Sequence, residues 1–382
     1  MIVAMSGGVD SSTAAALLVH QGYEVSGVTM RLWRPENPDA LVDRRRCCSP
    51  QEIEDARTVC HALGIPHRVL NFEPEFASAV VDYFCQEYLR GRTPNPCLAC
   101  NQYIKFRLLL PKALALGADY LATGHYCRIV RNDDSHELWR ARGEGKDQSY
   151  VLYMLGQEEL PRLLFPLGDY TKEEVRRMAA EMGLPVASKT DSADICFLPR
   201  GDYRAFLAKR FPQRAGDIVD SSGRVVGRHE GIAGYTVGQR RGLPARGGRE
   251  PLYVLSVNPV TNNVVAGSGD ELLSDVLWAE KLSFVSGQAP PGPLTVEAKI
   301  RYRSQAASAL LTLDDGRAEV RFERPQRAIT PGQAVVFYQG EKVVGGGIIT
   351  ESAGDAAHPE PVLSAAEGPV EGAGAHGSTG SP

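Results

Sequence analysis

The chain has 382 residues, 43% of them hydrophobic and 23% charged, with eight cysteines and a formal net charge of −4. That length predicts two or three domains rather than one core, and no apolar run approaches the roughly 18–20 residues of a membrane span. The opening MIVAMSGG lacks a basic n-region and a signal-type apolar stretch, and the cysteines are too sparse for a disulfide scaffold; a reducing cytoplasm is expected, with no membrane partner.

In chain order, IVAM (2–5) reads as a short buried strand, and SSTAAALLVHQG as a helix ending at Gly22. EVSGVTM is the next strand. SPQEIEDARTVCHALG is a helix with Ser49 or Pro50 at its start, Glu52 three places after Ser49, and Gly64 at its end. PHRVLNF is strand-like and PEFASAVVDYFCQEYLRG helical; IKFRLLLPKALALGADYLATGHY gives a helix bent or interrupted at Pro111 and then a strand. This alternation predicts an α/β domain, a doubly wound parallel sheet with helices on both faces. TKEEVRRMAAEMG is a further helix, with Thr171 and Glu174 spaced as a capping box.

After about residue 204 the texture changes. GDIVDSSGRVVGRHEGIAGYTVGQRRGL and LYVLSVNPVTNNVVAGSG are rich in glycine and turn dipeptides, which predicts a small, mainly-β central domain. From 275 to 350, LTVEAKIRYR, SALLTLDD, AEVRFE, AVVFYQG and VVGGGIIT alternate as short strands of an antiparallel barrel or sandwich. The expected division is therefore 1–204, 205–273 and 274–352, with 353–382 a disordered acidic tail. Charge is unevenly spread. The segment 351–382 carries five acids and no Lys or Arg, whereas Arg200–Arg249 has eleven Lys/Arg against four Asp/Glu. Such a basic block is either a solvated surface or the footprint of a polyanion partner.

AMSGGVDSS (4–12) lies directly between the first strand and the first helix. Gly7 and Gly8 let backbone approach a ligand closely, the helix N-terminus presents free N–H groups to an anion, and Ser6, Ser11 and Ser12 add hydroxyls. The loop is neither a Walker loop nor a GxGxxG turn. It resembles the signature of the PP-loop pyrophosphatases, which cleave ATP between the α and β phosphates. That resemblance implies adenylation of an oxygen that leaves poorly.

Three more stretches narrow the choice: GRTPNPCLACNQYIKF (91–106), GADYLATGHY with GKDQSYVLYML, and TDSADICFLP (190–199). With the loop, and with GYTVGQRRGL and the PGQAVVFYQGE…GGGII ending, they closely resemble the bacterial tRNA-specific 2-thiouridylases from Met1 to about Thr350. The resemblance implies ATP-dependent 2-thiolation of the wobble uridine, with release of AMP and pyrophosphate. Its partners would be the tRNA anticodon loop and a sulfur donor such as a cysteine desulfurase or sulfur-relay protein. Cys100 matches the nucleophilic thiol and Cys196 the persulfide carrier, each expected after a sheet-edge segment. Ala4, Met5, Ser6, Gly7, Gly8, Val9, Asp10 and Ser11 would hold ATP, with Asp10 near the phosphates or Mg²⁺ and with Met30 and Gly124 flanking adenine and ribose. Asn95, Pro96 and Cys97 would line the target base. His125, Lys146, Asp147, Gln148, Arg301, Tyr302 and Gln333 would contact tRNA, and the basic block would clamp its backbone.

Many family members have Asp where Cys97 stands. The third thiol leaves two sulfur routes open: a persulfide relay, or a four-iron cluster held by Cys97, Cys100 and Cys196 with one iron free for hydrosulfide. A closed zinc site would need a fourth ligand. Cys47 and Cys48 are read as loop thiols near the active mouth, with a redox or ligand role conceivable. Cys60, Cys85 and Cys127 are read as small packed hydrophobes. Two other function classes compete: a PP-loop amide-forming ligase on a small molecule, which needs no thiols, and a redox or metal-binding module with a regulatory nucleotide loop.

Overall fold

The computed structural model describes residues 1–33, 50–143, 145–190, 195–198, 202–245 and 250–352. Cys47, Cys48, the segment 353–382 and part of the basic block lie outside the described residues.

The first unit is a five-stranded sheet in the order β3-β2-β1-β4-β7, with every pairing parallel. The strands are β1 (Ile2–Ala4), β2 (Ser26–Arg31), β3 (His67–Asn71), β4 (Leu121–Ala122) and β7 (Leu163–Leu164). The chain winds outward from β1 through β2 to β3, then returns to the other side of β1 as β4. Ligands of open α/β sheets bind at such a reversal, beyond the carboxyl ends of the strands.

Helices cover both faces. On one face α1 (Val9–His20) and α2 (Pro50–Ala62) bury Ala15, Leu18, Ala56 and Val59 against Val3 and Met5. On the other face α3 (Glu73–Phe76) runs through a π-helical stretch, Ala77–Asp82, into α4 (Tyr83–Leu89). A second run begins at α5 (Pro96–Ala99), continues as π-helix over Cys100–Leu109 and ends as α6 (Leu110–Ala115). Phe76, Val80, Phe84, Leu98 and Ile104 from these runs pack with Ile2, Val28 and Met30.

The second run corrects the expected helix start, because it opens at Pro96 rather than near Ile104. Asn95 caps it, accepting from the N–H groups of Cys97 (3.1 Å) and Leu98 (3.4 Å), and Pro96 supplies a first-turn φ without wasting a donor. Pro111, which has no N–H to give, sits in the first turn of α6, just past the point where π bonding reverts to α. Helix α7 (Lys172–Glu181) carries the expected capping box in full, with Thr171 Oγ1 accepting from Glu174 N and Glu174 Oε2 accepting from Thr171 N.

The appended parts are β-rich. A four-stranded sheet, β10-β11-β8-β9, is built from β8 (Gly216–Val219), β9 (Val225–His229), β10 (Tyr253–Asn258) and β11 (Asn263–Gly267). Helix α8 (Tyr203–Arg210) leads into it. Six strands then close a barrel: β12 (Leu273–Phe284), β13 (Leu294–Lys299), β14 (Ala307–Asp314), β15 (Arg317–Arg327), β16 (Ala334–Gln339) and β17 (Lys342–Ser352), with β12 pairing both β15 and β17. A hairpin from the first unit, β5 (Cys127–Arg131) and β6 (His136–Arg140), joins the barrel edge through Lys342 opposite Trp139. The sequence reading did not anticipate that hairpin. No helix among the described residues is long and apolar enough to cross a membrane.

Candidate active site

The phosphate loop leaves the carboxyl end of β1 and is tied to the first turn of α1. Ser6 N donates to Ser11 Oγ (3.1 Å), and Ser12 Oγ donates to the carbonyl of Gly8 (2.8 Å). Gly7 has φ +73°, and a Cβ there would run into the backbone carbonyl of Glu52 on α2. Beside the loop, the turn after β4 is pressed just as closely onto α1: a Cβ on Gly124 would lie 2.6 Å from Ser11 N and 2.7 Å from Asp10 C. The two ligand-facing turns on either side of the sheet reversal therefore touch through glycine.

A cavity of about 350 Å³ opens above this contact. Of the residues expected to hold ATP, Ala4, Met5, Ser6, Gly8, Val9, Asp10, Ser11, Met30 and Gly124 line it. Gly7 faces Glu52 instead. The same cavity is lined by Pro96, Cys97, Cys100 and Cys196, and by His125, Lys146 and Gln148. Thiols 96 residues apart in sequence thus share one space with the phosphate loop. Cys100 does not follow a sheet edge, as expected, but stands at the start of the π-helical stretch. Phe197, buried among Phe76, Phe84 and Phe206 with ring centroids 5.3–5.9 Å away, anchors the half-buried Cys196.

Other expected residues lie outside the cavity lining. Asn95 serves as the helix cap. Asp147 accepts from the N–H groups of Ala141 (3.2 Å) and Ser149 (3.1 Å), holding a turn. Arg301 donates to Ala328 O and Thr330 Oγ1, Tyr302 packs beside Tyr150 at 6.1 Å, and Gln333 Nε2 donates to Thr93 O (2.7 Å). These last three stand where the barrel meets the first unit. Arg240 and Arg241 of the basic block are exposed.

The sequence reading missed three lysines. Lys172 Nζ donates to Asp10 Oδ1 (2.5 Å), which also accepts from Tyr126 OH (2.7 Å). Lys189 Nζ donates to the carbonyl of Gly7 (2.9 Å) and pairs with Asp55 (2.6 Å) and Glu52 (2.8 Å). Lys105 reaches Nε2 of His125 (3.3 Å), whose Nδ1 meets Thr123 Oγ1 (2.6 Å). Burial first, and the Lys105 charge second, hold the His125 pKa well below the ordinary imidazole value, so the ring is neutral. Lys105 follows Cys100 by five places, Lys172 adjoins the capping Thr171, and Lys189 immediately precedes the TDSADICF stretch.

Cys60, Cys85 and Cys127 are buried, and burial pushes the first two thiols up to about 11 and holds Cys127 well above the ordinary thiol range. They are packed hydrophobes, as expected. Among the described residues no three His, Cys, Asp or Glu side chains converge to hold a metal ion, so the three-thiolate iron–sulfur cluster finds no support. Among the described residues, Asp10 is the one carboxylate that lines the cavity. That suits a magnesium ion taking its other ligands from phosphates and water.

Comparison with known proteins covers nearly the whole chain. Residues 1–200 match the family described as tRNA methyl transferase HUP domain, 204–268 the tRNA methyl transferase PRC-barrel domain, and 274–349 the aminomethyltransferase beta-barrel domain. The tRNA-specific 2-thiouridylase MnmA of Carboxydothermus hydrogenoformans is 51% identical over 354 residues, covering 91% of this chain and 97% of its own. The MnmA proteins of Roseiflexus castenholzii and Moorella thermoacetica are 50% and 51% identical, each over 91% of this chain and 98% of their own.

Proposed function

The chain belongs to the tRNA-specific 2-thiouridylase family, and from that premise we propose that it exchanges the 2-carbonyl oxygen of the tRNA wobble uridine for sulfur, using ATP. The observation that carries this reading is the single cavity lined by the phosphate loop, Cys100 and Cys196. Oxygen must first become a leaving group, and a sulfur nucleophile must then arrive at the same carbon.

In the proposed sequence the uridine O2 attacks the α-phosphorus of ATP and pyrophosphate leaves. Ser6 to Ser11 and the first turn of α1 bind the phosphates, and Asp10 accompanies Mg²⁺. Cys196 carries a persulfide received from a cysteine desulfurase or sulfur-relay protein. Its terminal sulfur attacks C2, and AMP departs with the C2–O electron pair. The Cys100 thiolate attacks Cys196 Sγ and breaks the S–S bond, leaving 2-thiouridine and a Cys100–Cys196 disulfide that an external thiol reduces. Pro96 and Cys97 face the base. Residues 1–204 form the ATP-binding catalytic unit, 205–273 grip tRNA through Arg240 and Arg241, and 274–352 add Arg301, Tyr302 and Gln333 around the anticodon. His125, Lys146 and Gln148 approach the RNA from the cavity wall, with Asp147 and Asn95 shaping the turns that present them.

An amide-forming ligase would share the phosphate loop but has no use for three thiols in its cavity. The deciding assay supplies ATP, sulfide or a persulfide donor, and unmodified tRNA, followed by nucleoside analysis. Appearance of 2-thiouridine with stoichiometric AMP supports the reading. Its absence with every sulfur source, with and without air, refutes it.

A further inference from the structure

Of the lysines around the phosphate loop, two are neutralised where they stand: Lys172 by Asp10, and Lys189 by Glu52 and Asp55. Lys105 is placed differently. It lines the cavity together with Cys97, Cys100 and Cys196, it is only half exposed, and its partner is an imidazole. An ammonium can only donate, so His125 Nε2 must accept. The remaining ring proton then sits on Nδ1 and is donated to Thr123 Oγ1. This chain of bonds orients Lys105 without cancelling any of its charge. An anion entering the cavity would therefore meet an ammonium already held in place and still carrying its full charge.

Two features fix where that anion must sit. Lys105 is five residues after Cys100, and in an α-helix of 3.6 residues per turn that side chain would point about 140° away. The π-helical stretch Cys100–Leu109, with its i→i+5 bonding, brings Lys105 back toward the face of Cys100. Asn101 Nδ2, donating to Val151 O (2.9 Å), pins that turn from the neighbouring loop. On its other side Lys105 is tied to His125, the residue after Gly124, and Gly124 rests on Ser11 N at the start of α1. The ammonium therefore lies between the thiol end and the phosphate end of the cavity.

We propose that Lys105 is a catalytic residue of the second half-reaction, contacting the phosphate that joins AMP to the activated base. This rests on the thiolation reading above. As sulfur bonds to C2, the C2–O bond breaks and its electron pair passes to the phosphate oxygen. The added negative charge on departing AMP falls beside the Lys105 ammonium. Adenylation itself is served by the α1 N-terminus and needs Lys105 less.

The test follows full-length protein through a single turnover with α-labelled ATP, unmodified tRNA and sodium sulfide under argon, scoring pyrophosphate release and 2-thiouridine separately. For Lys105→Met, pyrophosphate release should stay within about threefold of wild type while thiolation slows about 100-fold or more, the usual scale for losing one transition-state charge contact. Labelled adenylyl-tRNA should accumulate, and Lys105→Arg should restore most of the thiolation rate. Lys105→Gln gives the same readout should the methionine variant melt at a lower temperature. Parallel loss of both half-reactions, or retention of both, overturns the assignment while leaving the overall function intact. A wild-type protein that releases pyrophosphate but never forms 2-thiouridine overturns both.

Discussion

Gly7 and Gly22 allow the buttressing of the phosphate loop to be measured. Both have left-handed backbone, φ +73° and +84°, so alanine at either position costs about 1–2 kcal/mol from the backbone alone. Gly22 ends α1 with nothing within 4 Å of where a Cβ would stand, whereas at Gly7 that atom would overlap the Glu52 carbonyl and lie 2.8 Å from its carbon. Glu52 is 2% exposed and bound to Lys189, so its backbone has little room to yield. Overpacking of this kind adds about 1–3 kcal/mol. Gly22→Ala should therefore lower stability by about 1–2 kcal/mol and leave ATP affinity within twofold. Gly7→Ala should lose about 2–5 kcal/mol and, because relief requires the loop to move, weaken ATP binding more than tenfold. Urea unfolding and equilibrium dialysis with labelled ATP measure the two quantities. Equal stability loss in both variants, with ATP affinity preserved in Gly7→Ala, would refute the view that α2 sets the loop's shape.

Three further outcomes are expected. Cys100→Ser and Cys196→Ser should each abolish 2-thiouridine formation while tRNA-dependent pyrophosphate release continues, and Cys97→Ser should keep thiolation within about tenfold; a Cys97→Ser protein as dead as the other two would give that thiol a role in the chemistry. Neutralising the exposed Arg240 and Arg241 together should weaken tRNA binding and reduce the slope of log affinity against log salt by about 1.4–1.8, the loss of two phosphate contacts; an unchanged slope would remove the central domain from the RNA interface. Because burial holds the His125 pKa well below 6.5, the unfolded chain binds a proton that the folded one refuses, so stability is full above about pH 6.5 and falls as the medium is acidified. His67 is lowered in the same sense, also chiefly by burial, so His125→Gln should flatten the acid limb of a stability–pH curve without erasing it; an unaltered limb would mean that His125 is not buried neutral.

The parallel sheet was legible because its strands and helices are written in local periodicity, and the capping box at Thr171 and Glu174 needs only four consecutive residues. The hairpin β5–β6 had a signal of the same kind: CRIVR and HELWR alternate around the turn residues NDDS. What no local pattern could reveal is its destination, since Trp139 pairs with Lys342 some 200 residues later, as the separation of the Lys342–Glu137 bond by 205 positions makes plain. The site divides in the same way. Motif residues such as Ser6, Asp10, Cys100 and Cys196 come from contiguous stretches, and most of them reach the cavity. The lysines that set its charge come from elsewhere, with Lys172 lying 162 positions from Asp10 and Lys189 lying 182 from Gly7. A lysine in a helix otherwise reads as a solvated face, and only the folded arrangement shows which ones turn inward.

The segment leading into Cys97 shows how the β-rich parts bear on the chemistry. Gly91 stands where a Cβ would lie 2.6 Å from the carbonyl of Val257 in the central sheet. Two residues on, Thr93 N donates to Pro331 O (2.8 Å), Thr93 O accepts from Gln333 Nε2 (2.7 Å), and a Cβ on Gly332 would lie 2.9 Å from Thr93 N. Asn95 then caps the helix that carries Cys97, Cys100 and Lys105. Both appended units thus press on the five residues that fix where this helix begins and how its first turn is aimed. A load on either unit would reach the turn that holds Cys97 and Cys100 directly, with no relay through the sheet. Because close-packed backbone contacts yield little, a shift of either unit must move the helix start or break a hydrogen bond. The barrel and the central sheet in this sense shape the candidate site, although the described residues that line its cavity all come from the first unit.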